Sequence, residues 1–216
     1  MIVRVLIAMA CICCMPAQAY EAVPKRPVDL SGRWTLNAAA SDDAEGLLDE
    51  RLEKERKRYQ RWAREMQAAR PPGAQRVEDL DAPPPGPSAR MQRRRERQQQ
   101  LLQQMLNLSP TLDIEQQLPR FALTSAVDSR RYEAGIRTQV SMPEGELADC
   151  ETGWDGEWFV IERRVRGGPG VVEKLRLIKK TGQLEYYMHW FGDTEISGLK
   201  VRRVFDRTDK AEAANR

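Results

Sequence analysis

Leu30-Ser31-Gly32-Arg33-Trp34 places a glycine two residues before a tryptophan, ahead of a long charged region and of a series of short segments with alternating apolar residues. The last of these segments is Val201-Arg202-Arg203-Val204-Phe205. So many short strands in one small domain must close or split, because exposed strand edges invite pairing with other chains. The pattern predicts a mainly β fold, an antiparallel up-and-down barrel of eight to ten strands whose first and last strands meet.

Turn signals separate most of the predicted strands. Examples are Leu118-Pro119, Trp154-Asp155-Gly156 and Lys180-Thr181-Gly182. Because these connections are short, strands that are neighbours in sequence should pair antiparallel. The predicted strands span residues 33–37, 111–116, 120–125, 130–133, 137–142, 147–152, 157–164, 171–178, 184–191 and 199–205.

Side-chain alternation indicates which strand faces are buried. In 184–191 the even positions are apolar or aromatic, whereas the odd ones include Glu185 and His189. In the preceding strand Glu173 alternates in phase with apolar residues, so a mixed interior is plausible. For 158–163 the alternation leaves open which set faces inward. The residues predicted to line a ligand space are Trp158, Tyr186, Met188 and Trp190.

Residues 1–19 are typical of a signal peptide. They contain one charge at Arg4, an apolar run, and Ala17-Gln18-Ala19 as a small-residue cleavage site. We expect cleavage near Ala19, a periplasmic or secreted location, and no stable membrane anchor afterwards. Cleavage would remove three of the four cysteines and leave Cys150, which we interpret as a buried, inert thiol.

Residues 41–107 form a charged insertion between the first strand and the rest of the barrel, and a helical segment is predicted to begin near Ser41 or Asp42. Apolar residues recur there at helical spacing, and three of them, Tyr59, Trp62 and Met66, are candidate partner contacts. Three interpretations stay open: a helical pair resting on the barrel, an arm that binds an envelope protein, or a surface that binds membranes through the basic residues 90–97. Pro-rich stretches interrupt the insertion after this helix.

The composition argues against several function classes. The 35 basic and 32 acidic side chains nearly cancel, so nucleic-acid binding is not indicated. His189 is the sole histidine, which disfavours a His-based metal site, and no catalytic triad is visible. We therefore expect no enzyme activity, no cofactor and no metal; a hydrolase using the carboxylates near Asp155 is the remaining enzymatic alternative.

The opening segment resembles the first strand of lipocalin-like proteins, and also a set of exported bacterial proteins of unassigned role that begin Asp-Leu-Ser-Gly-x-Trp-x-Leu-Asn. The resemblance implies that Gly32 permits a tight entry at the barrel base and that Trp34 packs beneath it. It further implies a basic side chain from the last strand across the indole, for which Arg202 and Arg203 are the candidates. The long insertion departs from the lipocalin pattern.

Together these observations predict one β domain. Residues 1–19 form the signal peptide, 20–40 the first strand, 41–107 the insertion, 108–207 the remaining barrel and 208–216 a disordered tail. The leading hypothesis is a non-catalytic protein that binds a small apolar or amphipathic ligand in the barrel. The alternative is a cell-envelope interaction module that uses the insertion.

Overall fold

The computed structural model describes residues 20–68, 110–126, 128–141, 147–192 and 196–208. The predicted signal peptide, the insertion beyond Ala68 and the tail from residue 209 lie outside these ranges. The described elements are one α-helix, α1, a short 3-10 helix at Ala38–Ala40, and ten strands. Their bounds are β1 Gly32–Leu36, α1 Ala44–Ala68, β2 Thr111–Gln117, β3 Arg120–Ser125, β4 Ser129–Glu133, β5 Arg137–Ser141, β6 Leu147–Asp155, β7 Trp158–Val165, β8 Gly170–Ile178, β9 Gln183–Phe191 and β10 Lys200–Arg207.

The ten strands form one antiparallel sheet in the order β4-β3-β2-β1-β10-β9-β8-β7-β6-β5. All neighbours are consecutive along the chain except β1 and β10, which pair with Trp34 opposite Arg207 and Leu36 opposite Phe205. The predicted up-and-down topology, the helix after the first strand and the meeting of the first and last strands are therefore confirmed. Strands β4 and β5 are the two edges of the sheet.

The sheet curls until distant strands touch. Phe121 on β3 stacks on Phe159 on β7, with ring centroids 3.9 Å apart. Arg130 on β4 reaches Glu173 on β8, with 2.8 Å between Arg130 Nη1 and Glu173 Oε1. These strands are not neighbours in the sheet, so such contacts require that the sheet bend and turn these side chains toward one another. We call the side that carries them the inner face.

The inner face holds most of the apolar core, because alternate residues of a strand point to the same side. The largest fully buried side chains include Trp34, Trp154, Phe159 and Phe205. Alternation in β9 follows the prediction: Tyr186, Met188 and Trp190 are buried, whereas His189 is half-buried. For β7 the structure decides what the sequence left open, since Phe159 and not Trp158 faces inward.

Trp34 closes the base of the curled sheet. It is fully buried, and its indole Nε1 donates to the Leu30 carbonyl oxygen at 3.0 Å. The guanidinium of Arg207 lies 4.7 Å from the centroid of the indole ring. The prediction that Arg202 or Arg203 covers Trp34 was therefore wrong. The register explains the error, because β1 pairs with the end of β10 and brings Arg207 opposite Trp34.

Only the first turns of helix α1 pack against the sheet. The Asp43 carboxylate accepts a hydrogen bond from the Gly46 backbone N–H at 3.1 Å, which satisfies one free donor at the start of the helix. Ala44 and Leu48 are buried, and Leu52 packs against the core. Farther along the same stripe, the side chains are exposed. No helix within the described ranges combines the length and the apolar character needed to cross a bilayer.

The residues before β1 add to the wall of the sheet. Glu21 exchanges two backbone hydrogen bonds with Trp154 on β6, of 2.9 and 2.7 Å. The Tyr20 hydroxyl donates to Glu162 at 3.0 Å. A Cβ at Gly153 would lie 2.7 Å from the Glu21 carbonyl oxygen, so the close approach of the two segments requires glycine at that position.

Candidate functional site: a charged cluster on the inner face

Two rows of side chains cross the inner face at its centre. Residues that pair directly across antiparallel strands point to the same side of the sheet. The first row is Trp154, Phe159, Leu175, Tyr186 and Arg203. The second is Thr152, Ile161, Glu173, Met188 and Val201. Each row is apolar except for a few polar groups, and those polar groups form the candidate site.

Glu173 is the centre of a hydrogen-bonded cluster. Its side chain is 1% exposed. Arg130 Nη1 donates to both carboxylate oxygens, at 2.8 and 3.0 Å. Arg163 Nη2 donates to one oxygen and the Tyr186 hydroxyl donates to the other. At the rim, the Asp128 carboxylate lies 3.0 Å from Arg130 Nε. Glu173, Arg130, Arg163 and Tyr186 form what we call the Glu173 cluster.

The Glu173 cluster stays charged. Burial alone would raise the pKa of Glu173, but the charges of Arg130 and Arg163 lower it to about 2. Burial would lower the pKa of Arg130, and the Glu173 charge reverses that effect and raises it. The pKa of Tyr186 is raised, first by burial and then by the Glu173 charge. At neutral pH the cluster therefore contains two guanidinium cations, one carboxylate and a neutral phenol.

Arg203 differs from the other inner arginines. The residue is 7% exposed, and its Nε is buried with no hydrogen-bond partner. Within the described part of the chain, no carboxylate forms an ion pair with this guanidinium. Burial lowers the pKa of Arg203, and the neighbouring Tyr186 phenol opposes this shift. Arg203 therefore contributes a largely buried cation that forms no ion pair within the described ranges and whose Nε lacks an acceptor, opposite Tyr186 of the neighbouring cluster.

Two further groups lie on this face. The indole Nε1 of Trp154 is buried and has no acceptor. Cys150 on β6 lies opposite Arg163 in register and is fully buried. Burial raises the pKa of the Cys150 thiol, and the charge of Arg163 only partly offsets this. A neutral buried thiol is inert, which agrees with the interpretation of Cys150 made from the sequence.

The structure separates the predicted lining residues. Tyr186, Met188 and Trp190 share the inner face with Glu173 and Arg203. Trp158 does not: it faces outward, where the Arg176 guanidinium lies 4.2 Å from the centroid of its ring. The prediction of Trp158 as a lining residue was wrong, because the register of β7 with β8 turns Phe159 inward instead.

Three inner charged residues, Arg130, Arg163 and Glu173, were not among the predicted site residues. Arg130 and Arg163 lie in strands whose alternation is weak, and their convergence on Glu173 depends on the curl of the sheet. One signal was present in the sequence, since Glu173 occupies the same phase as Val171 and Leu175 in β8. Arg203 was singled out for a different role and in fact lies opposite Tyr186.

The candidates for catalysis or metal binding do not assemble into a site in the described ranges. His189 lies on the outer side, and its pKa is lowered first by burial and then by Lys200 and Lys174. Asp149 pairs with Arg137, at 2.8 Å between Oδ2 and Nη2, and Glu157 pairs with Lys179. No three acidic, histidine or cysteine side chains there converge on a metal-binding position.

A surface pocket of about 390 Å³ lies at the start of α1. Its lining includes the carboxylates of Asp42, Asp43 and Glu50 and the side chain of Lys200. Asp42 and Asp43 already accept hydrogen bonds from backbone N–H groups. None of these lining residues belongs to the Glu173 cluster, and Lys200 lies opposite His189 in register.

The sequence matches no protein-family model and no curated protein sequence. Several solved structures show a distant likeness of fold. Apo lipid binding protein 8 of Caenorhabditis elegans is 13% identical, with a TM-score of 0.46 over 85% of this chain and 100% of that one. The REP1-NXSQ fatty acid transporter is 12% identical, with a TM-score of 0.44 over 84% and 97%.

A fatty-acid-binding protein from brain tissue of Drosophila melanogaster is 16% identical, with a TM-score of 0.37 over 49% of this chain and 78% of that one. All of these TM-scores are below 0.5. The likeness is therefore too distant to assign the chain to a family.

Proposed function

We propose that this protein is an exported, non-catalytic, lipocalin-like binding protein that holds a small anionic amphiphile against the inner face of its sheet. The observation that carries this proposal is Arg203, a residue only 7% exposed whose Nε lacks a hydrogen-bond partner and whose guanidinium forms no ion pair with a carboxylate of the described ranges. A buried charge without a partner is costly, and a ligand carboxylate or another anionic group would supply the missing acceptor. The ligand class is thus defined by a cation that pairs with no carboxylate in the described part of the chain.

The inner face around Arg203 is apolar. Val201 and Phe205 flank Arg203 on the inner face of β10 and are fully buried. Leu184 lies opposite Phe205 in register. A site that combines one fixed cation with apolar neighbours favours a molecule that has an anionic end and a hydrocarbon body. The free indole N–H of Trp154 offers a second donor on the same face.

The chemistry of the inner face supports binding over catalysis. A general base must be able to exchange protons near neutral pH, whereas the pKa of Glu173 is about 2 and its oxygens already accept three donor groups. Arginines stay charged and transfer no protons. The arginines of the inner face can orient and neutralise an anion, whereas Glu173 is not available to accept a proton in a reaction.

The test is a binding comparison between an anionic and a neutral amphiphile, dodecanoate and dodecanol, by titration calorimetry on the purified protein. We expect dodecanoate to bind more tightly and Arg203→Gln to weaken its binding by about tenfold or more, because hydrogen bonds to charged groups contribute about 1.5–3 kcal/mol. Dodecanol binding should change little. Arg202→Gln is the matched control, since Arg202 is adjacent but faces outward to Glu185. Equal loss in both variants, or no binding by the wild-type protein, would refute the proposal.

A second candidate function is an interaction module of the cell envelope. It is favoured by the apolar face of α1. Leu48, near the start of this face, is buried against the sheet, whereas Tyr59, Trp62 and Met66 farther along it are 66%, 53% and 55% exposed. Large apolar side chains on one exposed face are typical of partner-binding surfaces. A photo-crosslinker at Trp62 should trap a specific protein in intact cells, and the same crosslinker at Gln60 should not. Capture of the same proteins from both positions would count against this function.

A further inference from the structure

The side chains around Glu173 are of the kind that bind the carboxylate of a ligand. Four strands contribute to the Glu173 cluster: Arg130 comes from β4, Arg163 from β7, Glu173 from β8 and Tyr186 from β9. Two guanidinium groups and one hydroxyl converge on a single carboxylate, which is 1% exposed. Arginine pairs with a neighbouring hydroxyl form the kind of donor set with which proteins bind carboxylates. Here the carboxylate is supplied by the chain itself.

Tyr186 connects the Glu173 cluster to Arg203. Tyr186 lies opposite Arg203 in register, and its hydroxyl donates to Glu173. The two arginines of the cluster each form an ion pair with Glu173, whereas Arg203 forms none with a carboxylate of the described ranges. If Glu173 were absent, Arg130 and Arg163 would lose the carboxylate that pairs with them, and the inner face would present three arginines with no ion pair to Glu173.

We propose that Glu173 is an internal occupant of the anion site formed by Arg130, Arg163 and Tyr186, and that it restricts the inner face to ligands with a single anionic group. The single anionic group binds at Arg203, so this inference rests on the proposed function. It adds Glu173 as the residue that determines which ligands are accepted. A ligand with two carboxylates at one end would have to place its second carboxylate against the Glu173 cluster. There it would meet the Glu173 charge and find the donors already engaged.

A chemical rescue experiment tests the occupancy directly and does not depend on Arg203. Glu173→Ala removes the internal carboxylate and leaves space for a small one. We expect its thermal unfolding midpoint to fall, and to rise again in a saturable manner when sodium acetate replaces sodium chloride at constant ionic strength. The wild-type midpoint should respond equally to the two salts. If the variant folds and acetate has no more effect than chloride, the site is a structural ion cluster and the inference is wrong.

The control for the rescue is Glu185→Ala. Glu185 also bridges two arginines, Arg176 and Arg202, but on the outer side, where their side chains are 40% and 41% exposed. Water can solvate those guanidinium groups once the carboxylate is lost, so acetate should stabilise this variant no more than chloride does. Saturable rescue of both variants would show that acetate binds any freed arginine pair, and would contradict a dedicated inner site.

A second variant keeps the inference testable if Glu173→Ala fails to fold. Glu173→Gln preserves the shape of the side chain and removes its charge. The measurement is the ratio of affinities for dodecanoate and dodecylsuccinate, two amphiphiles that carry one and two carboxylates at one end. We expect the wild-type protein and Glu185→Gln to prefer dodecanoate, and Glu173→Gln to shift the ratio toward dodecylsuccinate by about tenfold, as loss of one buried like charge implies. An unchanged ratio would refute the specificity role of Glu173.

The two proposals fail in different ways. If the wild-type protein binds neither amphiphile, the proposed function is wrong, yet rescue of Glu173→Ala by acetate would still establish the internal occupant. If dodecanoate binds through Arg203 but neither Glu173 variant behaves as expected, the proposed function stands and the role assigned to Glu173 is wrong.

Discussion

The guanidinium of Arg207 lies 4.7 Å from the centre of the Trp34 ring and joins the last strand of the sheet to the first. The same guanidinium donates from Nη2 to the Ser31 carbonyl oxygen at 2.5 Å. Trp34 is fully buried, so this cation packs on a ring that water does not reach. Cation–π contacts are strongest when they are desolvated. The contact therefore ties the entry of the chain to its final strand.

Replacement of Arg207 by methionine should destabilise the fold by about 2 kcal/mol, because the variant loses a desolvated cation–π contact and a hydrogen bond. Arg164→Met is the matched control, since Arg164 lies at the same 4.7 Å from the Phe191 ring but has a side chain that is 58% exposed. That control should lose about 0.5 kcal/mol. Urea unfolding measures both free energies. Equal losses would mean that Arg207 does not close the sheet.

The stability of the protein at low pH should depend on Glu173. The folded state lowers the pKa of this carboxyl from 4.5 to about 2, so its contribution to stability is fully present above about 4.5 and is lost as the pH falls through about 2. Other carboxylates with lowered pKa values also lose their contribution to stability at low pH. The effect of Glu173 is therefore measured as the difference between the wild-type protein and Glu173→Gln. The free energy of unfolding of the wild-type protein should fall more steeply over this window than that of Glu173→Gln. Parallel curves would contradict the ion pairs of the Glu173 cluster.

Alanine at Gly153 should loosen the segment before β1. The added Cβ would lie 2.7 Å from the Glu21 carbonyl oxygen and 2.8 Å from Tyr20 Cβ, so the segment must move and its two hydrogen bonds with Trp154 must weaken. Gly156→Ala is the control, because Gly156 also has a positive φ of 63° but no atom within 4 Å of the new Cβ. We expect Gly153→Ala to lose about 1–2 kcal/mol more than the control, the value of two hydrogen bonds. Amide exchange at Glu21 and Trp154 should accelerate in the first variant only.

Cys150 should resist thiol reagents while the protein is folded. It is fully buried and burial raises its pKa, so little of it is thiolate at neutral pH. In a chain that starts at Tyr20, Ellman's reagent should react with Cys150 only at the rate of unfolding. A matched control moves the thiol along β6 to an exposed position, in the double variant Cys150→Ala and Leu147→Cys, because Leu147 is 60% exposed. Rapid labelling of the native Cys150 would show that the inner face opens to reagents.

Much of the fold follows from local patterns in the chain. The turn residues and the alternation in β9 depend on neighbours a few positions apart, so they predict the strands, their antiparallel order and the inward side of Tyr186 and Met188. In the charged insertion, apolar residues that recur at helical spacing from Leu48 onward likewise predict a helix. These features are properties of single segments, and a sequence displays them directly.

The candidate site depends on contacts that no single segment contains. Arg130 and Glu173 are 43 positions apart and meet only because the sheet curls through six intervening strand pairings. One residue of register moves a side chain to the opposite face, which is why Arg207 and not Arg202 or Arg203 covers Trp34, and why Phe159 and not Trp158 faces inward. Alternation predicts that a strand has two faces. Pairing across the curled sheet determines which charges meet, and it leaves Arg203 without an ion pair among the described residues.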